Sequence, residues 1–155
     1  MSIISNISVS LPNKFLTNES ISEDRPNWNV KKATIRTGVE KRGISGDGET
    51  AFDLAVKAAI NIFSNSLSPE DIDGIIFCTQ TADYIMPGNA SLIHSKFNFR
   101  ENMMAFDINL ACSGFSYSLG IASSLLANSK MNNILLFCGD TYSKLISPGD
   151  RSTKL

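Results

Sequence analysis

The sequence predicts an α/β fold built around a mostly parallel sheet, and three observations carry that reading. Residues 74–79, 104–108 and 133–138 are apolar runs of strand length, the last as continuous as a strand covered on both faces. Helix-length segments at 51–63, 87–97 and 113–128 lie between or beside them, so strand and helix alternate. The 155 residues, 43% of them hydrophobic, are enough for a single domain with a sizeable core, spanning residues 1–155.

The elements follow in order. Residues 3–9 are strand-like, and Pro12 ends them. Asn18 or Ser20 is placed to cap a short helix, and residues 28–37 form an amphipathic segment that Gly38 stops. Residues 41–44 are extended, and Ser45–Gly46–Asp47–Gly48 is a turn. Thr50 caps a strong helix whose apolar face is Ala51, Leu54, Ala55, Ala58, Ala59, Ile62 and Phe63. Pro69–Glu70–Asp71 leads into the strand at 74–79. A loop over 80–86 then reaches Pro87, which fits the first turn of a helix running to about Phe97. The buried strand 104–108 follows, then the helix 113–128 and the strand 133–138, which Gly139–Asp140 ends. Residues 150–155 carry no closing Gly or Pro and read as the start of a further element.

Composition narrows the function. Net charge is −1, and the densest cationic cluster is Lys31–Lys32 with Arg36 following at helical spacing. That argues against a nucleic-acid surface, which needs a broad basic patch, but leaves room for a small anionic ligand. Residues 108–129 carry no charge, a length that suits a membrane span, yet they include Asn109, Ser113, Ser116, Ser118, Ser123, Ser124 and Asn128. They read instead as a helix buried on several sides within protein. No charged segment followed by an apolar stretch opens the chain, so a cytoplasmic, reducing setting is expected. Cys78, Cys112 and Cys138 form no CxxC pair, so neither a metal site nor a disulfide framework is expected. Cys78 and Cys138 lie in apolar runs and read as core residues.

Cys112 is different. It falls where a strand turns into a helix, in Asn109–Leu110–Ala111–Cys112–Ser113–Gly114–Phe115. A thiol at a helix N-terminus feels the positive end of the helix dipole, which favours the thiolate, the nucleophilic form. Strand-to-helix turns also present nucleophiles at sheet edges in other folds. The plainer alternative is a small buried cysteine that packs like alanine.

Several motifs in fixed order bear on the choice: Arg36–Thr37–Gly38–Val39–Glu40–Lys41–Arg42–Gly43–Ile44, Asp71–Ile72–Asp73–Gly74–Ile75–Ile76, and Thr79–Gln80–Thr81–Ala82–Asp83–Tyr84 with Pro87. Ala105–Phe106–Asp107–Ile108 with Ala111–Cys112–Ser113–Gly114–Phe115 comes next, then Gly139–Asp140–Thr141–Tyr142–Ser143 with Asp150–Arg151. On these the chain resembles the N-terminal half of the ketoacyl-acyl-carrier-protein synthase III enzymes of the thiolase superfamily, over nearly its whole length. The resemblance implies a thiolase-like N-terminal domain, half of a duplicated fold, with a mostly parallel mixed sheet and buried helices.

The resemblance also implies chemistry. Such enzymes move an acyl group from acyl-CoA onto a cysteine, and malonyl held on acyl carrier protein then loses CO2 and attacks the thioester. The family acts in fatty acid or related biosynthesis. Cys112 matches the nucleophile, and backbone N–H groups near it are candidates to stabilise the oxyanion. Arg36 and Arg151 match positions that contact the CoA phosphates or the carrier protein, work that suits a guanidinium. Trp28 corresponds to the tryptophan that stacks on the CoA adenine. Met86 matches a position lining the partner subunit's acyl pocket, where Met gives a flexible apolar wall. The CoA thioester enters as substrate, with no tightly bound cofactor, and the enzymes are homodimers.

In the family a His and an Asn from the C-terminal half polarise the malonyl thioester. The single histidine here, His94, does not match that His and reads as a helix-face residue. These 155 residues alone are therefore expected to lack condensing activity. A second reading is a non-catalytic acyl-binding or assembly half that pairs with another chain. The hydroxymethylglutaryl-CoA synthase type also uses a cysteine, but the segments at Arg36–Gly38 and Asp150–Arg151 fit synthase III better.

Overall fold

The computed structural model describes residues 2–23, 29–128 and 130–146. They form two compact units: one of residues 2–10 with 50–140, the other of residues 11–49 with 141–146.

Numbered in chain order through both units, the first helix of the larger unit is α3, Ala51–Asn65. Thr50 caps it as expected. The Thr50 side chain accepts from Asp53 N–H at 3.2 Å, and the Asp53 carboxylate accepts from Thr50 N–H at 3.0 Å. Ala51, Ala55 and Ala59 form its buried stripe at a spacing of one helical turn. Strand β3 (Gly74–Cys78) is buried at all five positions because it is the central strand. It pairs in parallel with β4 (Met104–Ile108) on one side and β5 (Ile134–Cys138) on the other. Helix α4 (Asn89–Lys96) precedes β4, and α5 (Gly114–Asn128) precedes β5. The core combines the α3 alanines with Ile72, Ile75 and Phe77 of the β3 segment, Ile93 of α4, and Leu135 and Phe137 of β5. Phe77 and Phe137 stack with centroids 5.4 Å apart.

The end of the sheet away from Cys112 is tied by Asp73, whose carboxylate accepts from the N–H groups of Asn132 at 2.6 Å and Asn133 at 3.0 Å, and from the Arg100 guanidinium. Burial pushes this carboxyl up, but the bonds from Asn132, Asn133 and Arg100 outweigh it and hold it below the usual carboxylate range.

The smaller unit pairs β1 (Lys14–Thr17) with β2 (Lys41–Ile44) in antiparallel register and carries α1 (Asn18–Glu23) and α2 (Val30–Thr37). Its centre is the buried Asn18. The Asn18 amide donates to Thr34 Oγ1 at 2.8 Å and Val39 O at 2.6 Å, and its carbonyl accepts from Arg42 at 2.6 Å. Gly38 closes α2 with φ 69°.

Several expectations need correction. Residues 3–9 form no strand: among the described residues no strand pairs with them, and Ile3, Ile4, Ile7 and Val9 are exposed. Neither Asn18 nor Ser20 caps α1. Thr17 does, accepting from Ser20 N–H at 3.2 Å, because Asn18 is drawn inward by its three partners. Pro87 lies outside α4, which starts at Asn89 behind Gly88. Strands β4 and β5 are only partly covered, because each is an edge of the three-stranded sheet. The uncharged helix α5 is buried on one face alone, along Gly114, Ser118 and Ala122. Among the described residues no helix is long and apolar enough to cross a membrane.

Candidate active site

The candidate residues lie on turns at the C-terminal ends of the parallel strands β4 and β3, the end where α/β sheets bind ligands. After β4, residues Ala111–Ser113 form a short 3-10 turn that runs directly into α5. The helix therefore begins at Gly114, one residue later than the sequence suggests. Cys112 sits in this turn and is exposed, so the buried, alanine-like alternative does not hold. The turn is closed by Leu110 O, which accepts from Ser113 N–H at 3.2 Å and Ser113 Oγ at 2.8 Å. Gly114 N–H donates to Ala111 O. These bonds occupy two of the N–H groups nearest the thiol.

The backbone just before the cysteine is strained. Ala111 has φ 49°, a left-handed conformation that an L residue with no side-chain hydrogen bond adopts at a cost of about 1–2 kcal/mol. Gly114 is fixed by close approach, since a Cβ there would collide with Cys78 Sγ. The two cysteines in the flanking strands thus differ from Cys112 and from each other. Cys78 is buried under the start of α5, whereas Cys138, its register partner, is exposed at the last position of β5, not in the core. Although the residue as a whole is exposed, its sulfur is partly shielded from water and lies beside Cys78 and Asp140, and this desolvation, followed by those two neighbours, pushes the Cys138 thiol up to about 11.

The second turn follows β3. Asp140, after β5, receives four hydrogen bonds on one oxygen: from Thr79 Oγ1 at 2.9 Å, Gln80 N at 2.6 Å, and Thr81 N and Oγ1 both at 3.1 Å. This pins the start of the 80–88 loop to the sheet edge. The loop's tip, Tyr84–Ile85–Met86, carries apolar side chains into solvent, and Met86 is 86% exposed. Met86 is thus not a core residue of this chain. His94 sits on α4 with its Nε2 3.0 Å from Arg100 O, a structural contact on the far side of the helix start.

Cys112 and Met86 belong to the larger unit. Arg36 lies exposed in the last turn of α2, in the smaller one. Trp28 and Arg151 lie outside the described residues. The sequence reading missed Asp140, Asp107, Asp83 and Asn89. The available signal was an aspartate inside an apolar strand, Asp107 in Ala105–Phe106–Asp107–Ile108, which has to find hydrogen-bond donors where it is packed.

These exposures imply an order of thiol reactivity. Iodoacetamide at neutral pH should label Cys112 first, leave Cys138 slow because its thiol stays protonated, and spare Cys78 while the fold is intact. Site mapping by mass spectrometry reads the order; faster labelling of Cys78 or Cys138 would remove Cys112 from the centre of the site.

Comparison with known proteins agrees with this architecture. Residues 106–155 match the family profile described as 3-oxoacyl-acyl-carrier-protein (ACP) synthase III. A beta-ketoacyl-acyl-carrier-protein synthase III 2 from Bacillus anthracis is 35% identical over 154 residues, covering 97% of this chain and 46% of the relative. A synthase III from Clostridium tetani is 39% identical over 147 residues, covering 92% and 42%. A crystal structure of a 3-oxoacyl-(acyl-carrier-protein) synthase III matches with TM-score 0.90 at 35% identity, covering 97% of this chain and 45% of that one. The Burkholderia xenovorans LB400 enzyme matches at TM-score 0.85 and 30% identity, covering 97% and 44%. The chain spans less than half the length of these relatives. Its fold is thiolase-like, an α/β half of that duplicated architecture. In sequence and in fold the chain is similar to the N-terminal half of the 3-oxoacyl-acyl-carrier-protein synthase III enzymes.

Proposed function

We propose that this chain is the nucleophile-bearing half of an acyltransferase. The whole acyltransferase catalyses a cysteine-mediated decarboxylative Claisen condensation of an acyl-CoA with malonyl-acyl carrier protein in fatty acid or related biosynthesis, and this half supplies the acyl-accepting thiol. The observation that carries the reading is the exposed Cys112 in a strained turn between β4 and α5. The thiolate attacks the acyl-CoA carbonyl, the tetrahedral oxyanion is stabilised by the turn's remaining backbone N–H groups, and CoA thiolate leaves as the acyl-cysteine forms. Arg36, with Trp28 and Arg151, holds the CoA end. Met86 closes the acyl pocket of a second copy in a homodimer. The CoA thioester is the substrate, no cofactor is tightly bound, and the setting is cytoplasmic. Residues 1–155 act as one thiolase-like domain.

Decarboxylation of malonyl needs a polarising His and Asn, and His94 is held on Arg100 O instead. Incubated with acyl-CoA and then malonyl-acyl carrier protein, these 155 residues should take up acyl groups and form no ketoacyl product. Product that depends on Cys112 would overturn this division of labour. The second reading is a non-catalytic acyl-binding or assembly half that pairs with another chain; it requires that no acyl group be held covalently on Cys112.

A further inference from the structure

The loop that carries Met86 is free at its tip and clamped at its stem. Asp83 and Asn89 flank the exposed segment and bond reciprocally. Asp83 N–H donates to Asn89 Oδ1 at 3.0 Å, and the Asn89 amide donates to Asp83 Oδ1 at 3.0 Å. The same Asp83 oxygen accepts from Phe52 N–H at 3.3 Å, in the first turn of α3. Asn89 is fully buried, an arrangement that is favourable only while its amide is satisfied. Its backbone is held from below by Asp107, which accepts from Asn89 N–H and Ala90 N–H, both at 2.7 Å. No side chain fits at Gly88, where a Cβ would lie 2.7 Å from the Asp107 carboxylate. Asp107 sits on β4, the strand that leads into the Cys112 turn. One strand therefore carries the thiol at its end and clamps the stem of the loop that presents Met86.

We propose that Asp83 and Asn89 are positioning residues for acyl-chain selection: their reciprocal pair, anchored on Asp107, sets how far Met86 projects. The inference rests on the reading of Met86 as an acyl-pocket wall. A wall residue at the end of an unclamped loop samples many depths, and a pocket of undefined depth discriminates poorly between chains that differ by a methylene. Clamping at 83 and 89 leaves only the tip to move. Asp83→Asn retains an oxygen that accepts from both Asn89 and Phe52, whereas Asp83→Ala removes it.

The test is the rate of Cys112 acylation in the full-length protein, followed by intact mass over a series of acyl-CoA chain lengths. Asp83→Ala should flatten the preference between the best and worst chain length by about fivefold or more, in the same direction as Met86→Ala. Asp83→Asn should restore it. If Asp83→Ala does not fold, Asn89→Ser, whose shorter side chain breaks the reciprocal amide pair with Asp83, carries the same comparison. A uniform fall in rate at every chain length, or failure of Asp83→Asn to rescue, overturns the positioning role and leaves the acyltransferase reading standing. No acylation of Cys112 by any acyl-CoA overturns both.

Discussion

Cys112→Ala should abolish acylation by acyl-CoA, with the rate falling at least about a thousandfold, because the turn's other nucleophilic group, the Ser113 hydroxyl, donates to Leu110 O and is a far weaker nucleophile than a thiolate. Cys112→Ser should be nearly as poor. A hydroxyl needs a general base to become a nucleophile, and among the described residues the lone histidine is engaged with Arg100 O on α4. Cys138→Ser should acylate normally, since the Cys138 thiol, pushed up to about 11, contributes little thiolate at neutral pH. The rate of CoA release, read with a thiol-reactive dye on the excess acyl-CoA reaction, distinguishes the three. Retained acylation in Cys112→Ala would mean that the strained turn is not the reactive centre.

The second large effect concerns association. Helix α5 buries only the Gly114, Ser118 and Ala122 stripe, and the rest of its surface includes Phe115 at 52% and Tyr117 at 59% exposure. An open groove of about 670 Å3 runs along Tyr117, Gly120, Ile121, Ser124 and Leu125. Ile3, Ile4, Ile7 and Val9 add further exposed apolar surface in the same unit. Contiguous apolar patches beyond a few hundred Å2 are rare on soluble monomers. Covering about 1,000 Å2 at roughly 25 cal/mol per Å2 is worth on the order of 25 kcal/mol before entropy costs. That exceeds the net stability of a typical domain, about 5–15 kcal/mol. These 155 residues should therefore self-associate or require the complementary half of the fold. Sedimentation equilibrium across a concentration series checks this. A compact monomer at low micromolar concentration, melting cooperatively and binding no hydrophobic dye, would defeat it.

What was legible in the sequence was local. The Thr50 cap, the Gly38 stop after the amphipathic segment at 28–37 and the apolar run of β3 each write their structure into neighbouring residues. So does Cys112, whose turn is defined by the residues on either side of it. Two kinds of feature were not legible. The first depends on what covers an element. Residues 3–9 have the alternation of a strand, Cys138 ends an apolar run and α5 lacks charge, but apolar composition states only that a surface is to be buried, not by what. In this chain those surfaces are open. The second is long-range hydrogen bonding. Asp107 reaches Asn89 and Ala90 across 18 and 17 positions, and Asp140 reaches Thr79 across 61, with no periodicity to announce either. These aspartates shape the site as firmly as the helices do, and only the folded backbone brings their donors within reach.

The central claim is that the thiol in the strained turn after β4 is where an acyl group is held. Its most direct test is peptide mapping by mass spectrometry after incubation with an acyl-CoA, with quenching at acid pH to preserve the thioester. The account expects a single acyl mass shift on the peptide containing Cys112, removable by hydroxylamine. A shift on the Cys78 or Cys138 peptide instead, or none at any cysteine, would contradict it.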